Sequence, residues 1–198
     1  MEKKTRRAEQ AMQTRKKIFD AAFELLEMMP YEQITIKDIV NRANVSIGTY
    51  YLYFSTKMDV FYQTYVKADD YFVDIVAPML TGPTARENML IYFDQYAIYN
   101  SEYTSLRLTK LLYNSSNTYF LRRSEPGMLS VLREVIQKGL DNGELDNSMT
   151  AERIEIFLMD CIRGLVYNWC IRDGEFDLRK ATQRQFNLLY RAIRKQDD

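Results

Sequence analysis

Residues 34–57 read ITIKDIVNRANVSIGTYYLYFSTK, and this stretch decides the fold. Thr35 stands three residues before Asp38, the spacing of a reciprocal helix-start cap. Ile36, Ile39, Val40 and Ala43 then keep a helical period that ends at Ala43-Asn44. Asparagine tolerates the left-handed backbone of a sharp helix exit. Ser46 is a natural N-cap for the next short helix, whose inner face carries Tyr50 and Phe54. Two short helices joined by such a tight turn have helix-turn-helix spacing. With Tyr50 and Phe54 inside, a rotation of about 100° per residue turns Gly48, Thr49, Tyr51, Leu52 and Ser55 outward. An outward Leu-Tyr pair beside a glycine suits a helix pressed into a groove better than one facing water. Gly48 permits close backbone approach, and Thr49 and Tyr51 offer hydroxyls to phosphate oxygens. The free N–H groups of the helix start at Ser46 favour phosphate too. An ordinary helical hairpin in a bundle has the same periodicity, so the pattern alone leaves both readings open.

Outward from this stretch the spacing stays helical. Ile18, Ala21, Ala22, Leu25, Leu26 and Met29 form one buried stripe, stopped by Pro30. Downstream, Thr56 and Asp59 repeat the cap and open a fourth helix running to about Ala77. Pro78, Gly82 and Pro83 make a connector. Further helices are expected near 84–100, 102–114, 120–141, 150–172 and 178–195, with breaks at Asn114-Ser115-Ser116-Asn117, Asp141-Asn142-Gly143 and Asp173-Gly174. Pro126-Gly127 interrupts the start of the 120–141 segment. The expected fold is all-α in two domains, 1–56 and 57–198.

Composition agrees. The chain has 198 residues, 46% hydrophobic and 27% charged, with only 7 glycines and 4 prolines to break helices. No apolar run approaches the ~18 residues of a membrane span. No apolar segment of secretory type follows the charged start. There is no histidine, which removes Ser-His-Asp triads, Cys-His dyads and histidine-ligated metal sites. Cys161 and Cys170 lie nine apart, about 900° of helix, and so face opposite ways. A reduced cytoplasmic protein is the expectation. With no glycine-rich phosphate loop and no paired-carboxylate motif either, the chain is not expected to be an enzyme. No catalytic residue, metal or cofactor is assigned.

Net charge is zero but unevenly spread. Residues 1–17 hold seven bases (Lys3, Lys4, Arg6, Arg7, Arg15, Lys16, Lys17) against Glu2 and Glu9. A basic front end on a mildly acidic body points to an anionic partner. The plainer expectation is a frayed, solvated tail. The same charge would also serve a helical adaptor or peripheral membrane-surface protein.

The run from Ile18 to Phe61 resembles the DNA-binding domain of TetR/AcrR-type bacterial transcriptional regulators. The residues that carry the likeness are Ile18 with Ala21-Ala22, Thr35-x-x-Asp38-Ile39, Ala43-Asn44-Val45-Ser46, Gly48-Thr49-Tyr50-Tyr51, Phe54 and Lys57. The resemblance implies a homodimeric repressor that binds a palindromic double-stranded operator and is released by a small hydrophobic effector. It also implies that Thr35 and Lys37 contact the DNA backbone. Ser46, Gly48, Thr49, Tyr51, Leu52 and Tyr53 would lie on the recognition segment, and Lys57 would anchor on phosphate. Three positions depart from the family pattern. Ile47 stands for a common lysine, Asn44 for the turn glycine, and Tyr53 for a common histidine.

The C-terminal body has two long apolar faces, and the resemblance implies that its last two helices form the dimer interface. The interface residues expected are Ile154, Phe157, Gly164, Leu165, Phe186, Leu189 and Ile193. Gly164 in mid-helix costs about 1 kcal/mol relative to alanine, which close helix approach across a two-fold axis would offset. Of the fifteen tyrosines, six fall in 84–120. An aromatic-walled effector cavity is expected, bordered by Tyr65, Tyr92, Phe93, Tyr96, Tyr103, Tyr113 and Trp169. Asp160, inside an apolar run, either pairs with Arg163 or Arg107 or aims into that cavity. The effector is then a lipophilic cation, with an acyl compound as the alternative.

Overall fold

The computed structural model describes residues 2–114, 117 and 126–196, without the side chains of 2–5, 7 and 8. The break at Ser115-Ser116 and the start of the 120–141 segment lie outside the described residues, as do Tyr119 and the side chains of Lys3, Lys4 and Arg7. The described residues are helical, with one isolated bridge between Leu145 and Arg194. The chain divides into two compact units, Met1–Tyr65 and Val66–Asp198.

In the first unit α1 spans Glu2–Met28, α2 Ile36–Ala43, α3 Ile47–Tyr51 and α4 Lys57–Phe61. The α1 stripe is buried as its spacing predicts, with Ile18, Ala22 and Leu26 inside. The basic segment, expected to fray, is instead the start of α1. No glycine or proline stands between Glu2 and Met29, and alanine, glutamine, lysine and arginine there are strong helix formers. Lys16 and Asp20 add a pair one turn apart, at 2.6 Å.

The start of α2 is a complete reciprocal cap. The Asp38 N–H donates to Thr35 Oγ1 at 3.1 Å, and the Thr35 N–H donates to Asp38 Oδ2 at 2.9 Å. Hydrogen bonds from Thr35 hold the Asp38 carboxyl below its ordinary value. Asn44 has φ 53° and ψ 51°, the left-handed exit its side chain tolerates. Thr56 and Asp59 repeat the cap at α4. Val60 and Phe61 on α4 are fully buried, and Phe61 meets Tyr31 edge-on at 5.7 Å. That packing ties α4 to the first unit, which runs to Tyr65.

The division falls inside α5 (Gln63–Tyr71), which runs on into a π-helical turn, Phe72–Val76. The second unit continues with α6 (Ala85–Ile98), a π-helical turn (Tyr99–Tyr103), α7 (Leu106–Leu112), α8 (Met128–Asp141), α9 (Ala151–Ile171) and α10 (Leu178–Ile193). Helix α6 is central and packs on both α8 and α10. A Cβ at Gly139 would lie 2.6 Å from Ala85 Cβ, so this α6–α8 approach requires glycine on α8. The turn after α9 is made by Asp173 and Gly174, both at positive φ. Trp169 closes it, donating from Nε1 to the Phe176 carbonyl at 2.9 Å.

Candidate functional site

The helix-turn-helix residues group as the outward rotation predicts. Tyr50 is fully buried, and its hydroxyl donates to the Thr56 carbonyl at 2.9 Å. Burial pushes the Tyr50 phenol well above its ordinary value, so it stays neutral. With Tyr50 and Phe54 fixed inside, α3 presents Ile47, Gly48, Tyr51 and Leu52 to solvent, and Leu52 is 80% exposed. Tyr53 is half-buried. A Cβ at Gly48 would meet only Ser46 Oγ, at 3.7 Å, so the folded chain itself leaves that spot open. Ser46 caps α3 by accepting from the Thr49 N–H at 3.0 Å, and its hydroxyl lies 2.8 Å from that of Thr49. Thr35 and Lys37 are exposed at the start of α2. An open glycine, two hydroxyls and apolar side chains on one exposed ridge fit a groove of base edges flanked by phosphates.

Lys57 is placed otherwise than expected. Its ammonium donates to the carbonyls of Tyr31 and Ile34, both at 2.7 Å, and sits 3.9 Å from the Tyr31 ring centroid. Burial lowers its pKa below the usual lysine value. Two of its three donors thus hold the 31–34 turn against α4, leaving one for a phosphate. Lys57→Ala is therefore expected to cost the first unit about 1–2 kcal/mol of stability in a melt, through lost charge-assisted bonds. Tyr51→Phe should leave the melt unchanged and weaken operator binding by about 1 kcal/mol if the hydroxyl meets a phosphate. Equal operator affinity of Tyr51→Phe and the unaltered protein would remove that hydroxyl from the interface.

The aromatic residues of the second unit gather around α6. Tyr92, Phe93 and Tyr96 are buried and Tyr113 nearly so. Phe72 lies 4.7 Å from Tyr92, and Phe186 lies 5.3 Å from Phe93, between ring centroids. The Tyr96 and Tyr113 hydroxyls are 2.6 Å apart, and Tyr92 donates to the Met128 carbonyl at 2.9 Å. The rest of the expected set lies elsewhere. Tyr65 ends the first unit and packs on Tyr62, Tyr103 is 63% exposed beside Tyr71 and Tyr99, and Trp169 closes the α9–α10 turn.

Asp160 needs correction. It is exposed, and among the described residues it forms no ion pair with Arg163 or Arg107. The buried acid of α9 is Glu155, 1% exposed, with Oε2 accepting from Arg133 Nε at 2.8 Å. Five residues turn the helix by about 500°, so Glu155 and Asp160 point about 140° apart. The charge that reaches the tyrosine cluster is Arg163. Burial opposes its charge, but the Tyr96, Tyr113 and Tyr92 phenols outweigh burial and raise its pKa.

The expected dimer residues also divide. Ile154, Phe186 and Ile193 are fully buried and Leu189 nearly so, filling the unit's own core; they are unavailable to a partner. Phe157 and Leu165 are half-buried. The outward stripe of α9 is Ile156, Asp160, Gly164, Tyr167 and Ile171, and Leu188 is exposed on α10. A Cβ at Gly164 would meet nothing within 4 Å in this chain.

Comparison with known proteins gives a family model described as bacterial regulatory proteins, tetR family, matching residues 18–63. A second, the C-terminal region of MAATS-type transcriptional repressors, matches residues 123–192. The fatty acid metabolism regulator protein of Bacillus subtilis is 23% identical over 181 residues, covering 89% of this chain and 93% of that protein. The crystal structure of FadR from Bacillus subtilis in complex with stearoyl-CoA has a TM-score of 0.71 at 22% identity, covering 88% and 96% of the two chains. Thermus thermophilus FadR, a transcriptional repressor in complex with lauroyl-CoA, has a TM-score of 0.71 at 19% identity, covering 93% and 97%.

Proposed function

Because the chain belongs to the TetR family of bacterial regulatory proteins, as a ligand-responsive transcriptional repressor that binds operator DNA as a dimer, we propose that its effector is a fatty acyl thioester of coenzyme A. The observation that carries this reading is that Asp160, the acid expected to hold a cation, faces solvent. Arg163 acts on Tyr96, Tyr113 and Tyr92, and Glu155, which acts on Tyr92 together with Asp69, is held by Arg133. An acyl chain meets ring faces, and its carbonyl oxygen meets donors. The stearoyl-CoA and lauroyl-CoA carried by the two similar structures support the same class. Among the described residues no helix is long and apolar enough to cross a membrane. The protein acts in the cytoplasm and regulates without catalysing a reaction. The helix-turn-helix match leaves the adaptor and membrane-surface reading without support. Thr35, Lys37, Ser46, Thr49, Tyr51 and Leu52 make the operator contacts.

The test is a gel shift on the inverted repeat of the protein's own promoter. Stearoyl-CoA or lauroyl-CoA is expected to lower operator affinity 5- to 150-fold, a coupling of about 1–3 kcal/mol. Tetraphenylphosphonium should have no effect, and Asp160→Asn should respond as the unaltered protein does. Release by the cation, lost in Asp160→Asn, would overturn the acyl reading.

A further inference from the structure

The geometry points to a second ligand site, for a small molecule bearing a diphosphate or longer phosphate chain, in a cleft between the start of α6 and the end of α10. The cleft has a volume of about 470 Å³ and is lined by Arg86, Asn187, Tyr190, Arg191 and Arg194. All three arginines are exposed, and among the described residues none is in an ion pair. Like charges gathered in excess of their counter-charges repel one another, and an anion between them removes the repulsion.

Arginines near a helix C-terminus complement the helix dipole, which accounts for Arg191 and Arg194. It does not account for Arg86. That residue lies in the first turn of α6, where the dipole disfavours a cation. It is nevertheless held over the cleft, donating from Nη2 to Asn187 Oδ1 at 2.7 Å, with its guanidinium 5.7 Å from the Tyr190 ring centroid. One acid lies close by: Glu144 acts on Tyr190, and its Oε2 accepts from the Ala85 N–H at 2.7 Å, so three arginines face a single carboxylate. The backbone under Arg194 is fixed as well. The Asp146 N–H donates to the Ile193 carbonyl at 2.9 Å, and the Lys195 N–H donates to the Glu144 carbonyl at 3.0 Å.

The chemistry of the lining sets the class of ligand. A guanidinium pairs with phosphate oxygens through two parallel N–H donors, and three guanidinium groups line this cleft. The volume equals roughly sixteen waters at about 30 Å³ each, which leaves room for two linked phosphates or more. The lining is polar and does not suit an acyl chain. This site therefore does not rest on the acyl reading: inorganic pyrophosphate has no chain to bury.

The experiment is calorimetric titration of the full-length protein with inorganic pyrophosphate, ADP and coenzyme A at low salt. The same titrations are made on Arg86→Gln, Arg191→Gln and, as a control, Lys138→Gln, an exposed change on α8. Saturable binding that falls at least tenfold in both arginine variants and holds in the control is expected, with circular dichroism unchanged. Coenzyme A binding at least tenfold tighter than the other two would identify the head group of a thioester ligand. Parity would identify a free nucleotide or polyphosphate. No saturable binding to the unaltered protein, or equal binding by all variants, would overturn the site and leave the arginines as helix-end charges.

Discussion

Tyr50→Ala is expected to abolish operator binding while the dimer and the effector response of the second unit persist. The Tyr50 ring is fully buried, with centroids 5.5 Å from Phe54 and 5.6 Å from Tyr51. Its hydroxyl satisfies the Thr56 carbonyl just before α4. Truncating a buried aromatic to alanine costs about 3–5 kcal/mol. A unit of this size has a small core and little stability beyond that. The second unit contains none of these contacts. Two-stage melting by circular dichroism, with only the earlier stage shifted, is the expected signature. Tyr50→Phe keeps the ring and should lose only about 1 kcal/mol. Operator affinity of Tyr50→Ala equal to that of the unaltered protein would mean that α3 is not positioned by this ring and does not read the operator.

The helix-turn-helix was legible because its determinants are local. Thr35 with Asp38, Ser46 with Thr49 and the left-handed Asn44 each act within a few residues, so spacing alone places them. The α1 extension follows from helix propensity in a segment that contains no breaker, and charge alone does not show it. Asp160 faces solvent although its sequence neighbours are apolar, because such a neighbourhood says nothing about helical phase. Glu155, five residues earlier, is the acid that points inward. Helical phase also places Arg163 inward: it lies four residues after Met159 and three before Val166, both apolar and buried. The cleft joins Arg86 to residues about a hundred positions later, and no local pattern links them. Family likeness points Lys57 at phosphate, and only packing shows its ammonium turned onto the 31–34 turn.

Gly164→Leu is expected to separate folding from dimerisation. Within one chain the added Cβ meets nothing within 4 Å, so the monomer should accept the side chain. Leucine at an α-helical position previously held by glycine should stabilise the monomer by just under 1 kcal/mol. The partner is a different matter. Gly164 lies on the outward stripe of α9 with Tyr167, 50% exposed, and Ile171, 62% exposed. Large apolar groups on an exposed helix face suit burial in a partner interface. A two-fold interface brings the same surface of both chains together, so every substitution acts twice. Overfilling a close helix contact costs about 1–3 kcal/mol, enough to raise the dimer dissociation constant about 5- to 150-fold. Sedimentation should show that weakening while the melting temperature of the monomeric form holds or rises. Operator affinity should fall with it, because both half-sites must be held at once. An unchanged dimer would move the interface off this stripe of α9, and a destabilised monomer would show that Gly164 serves the chain's own packing instead.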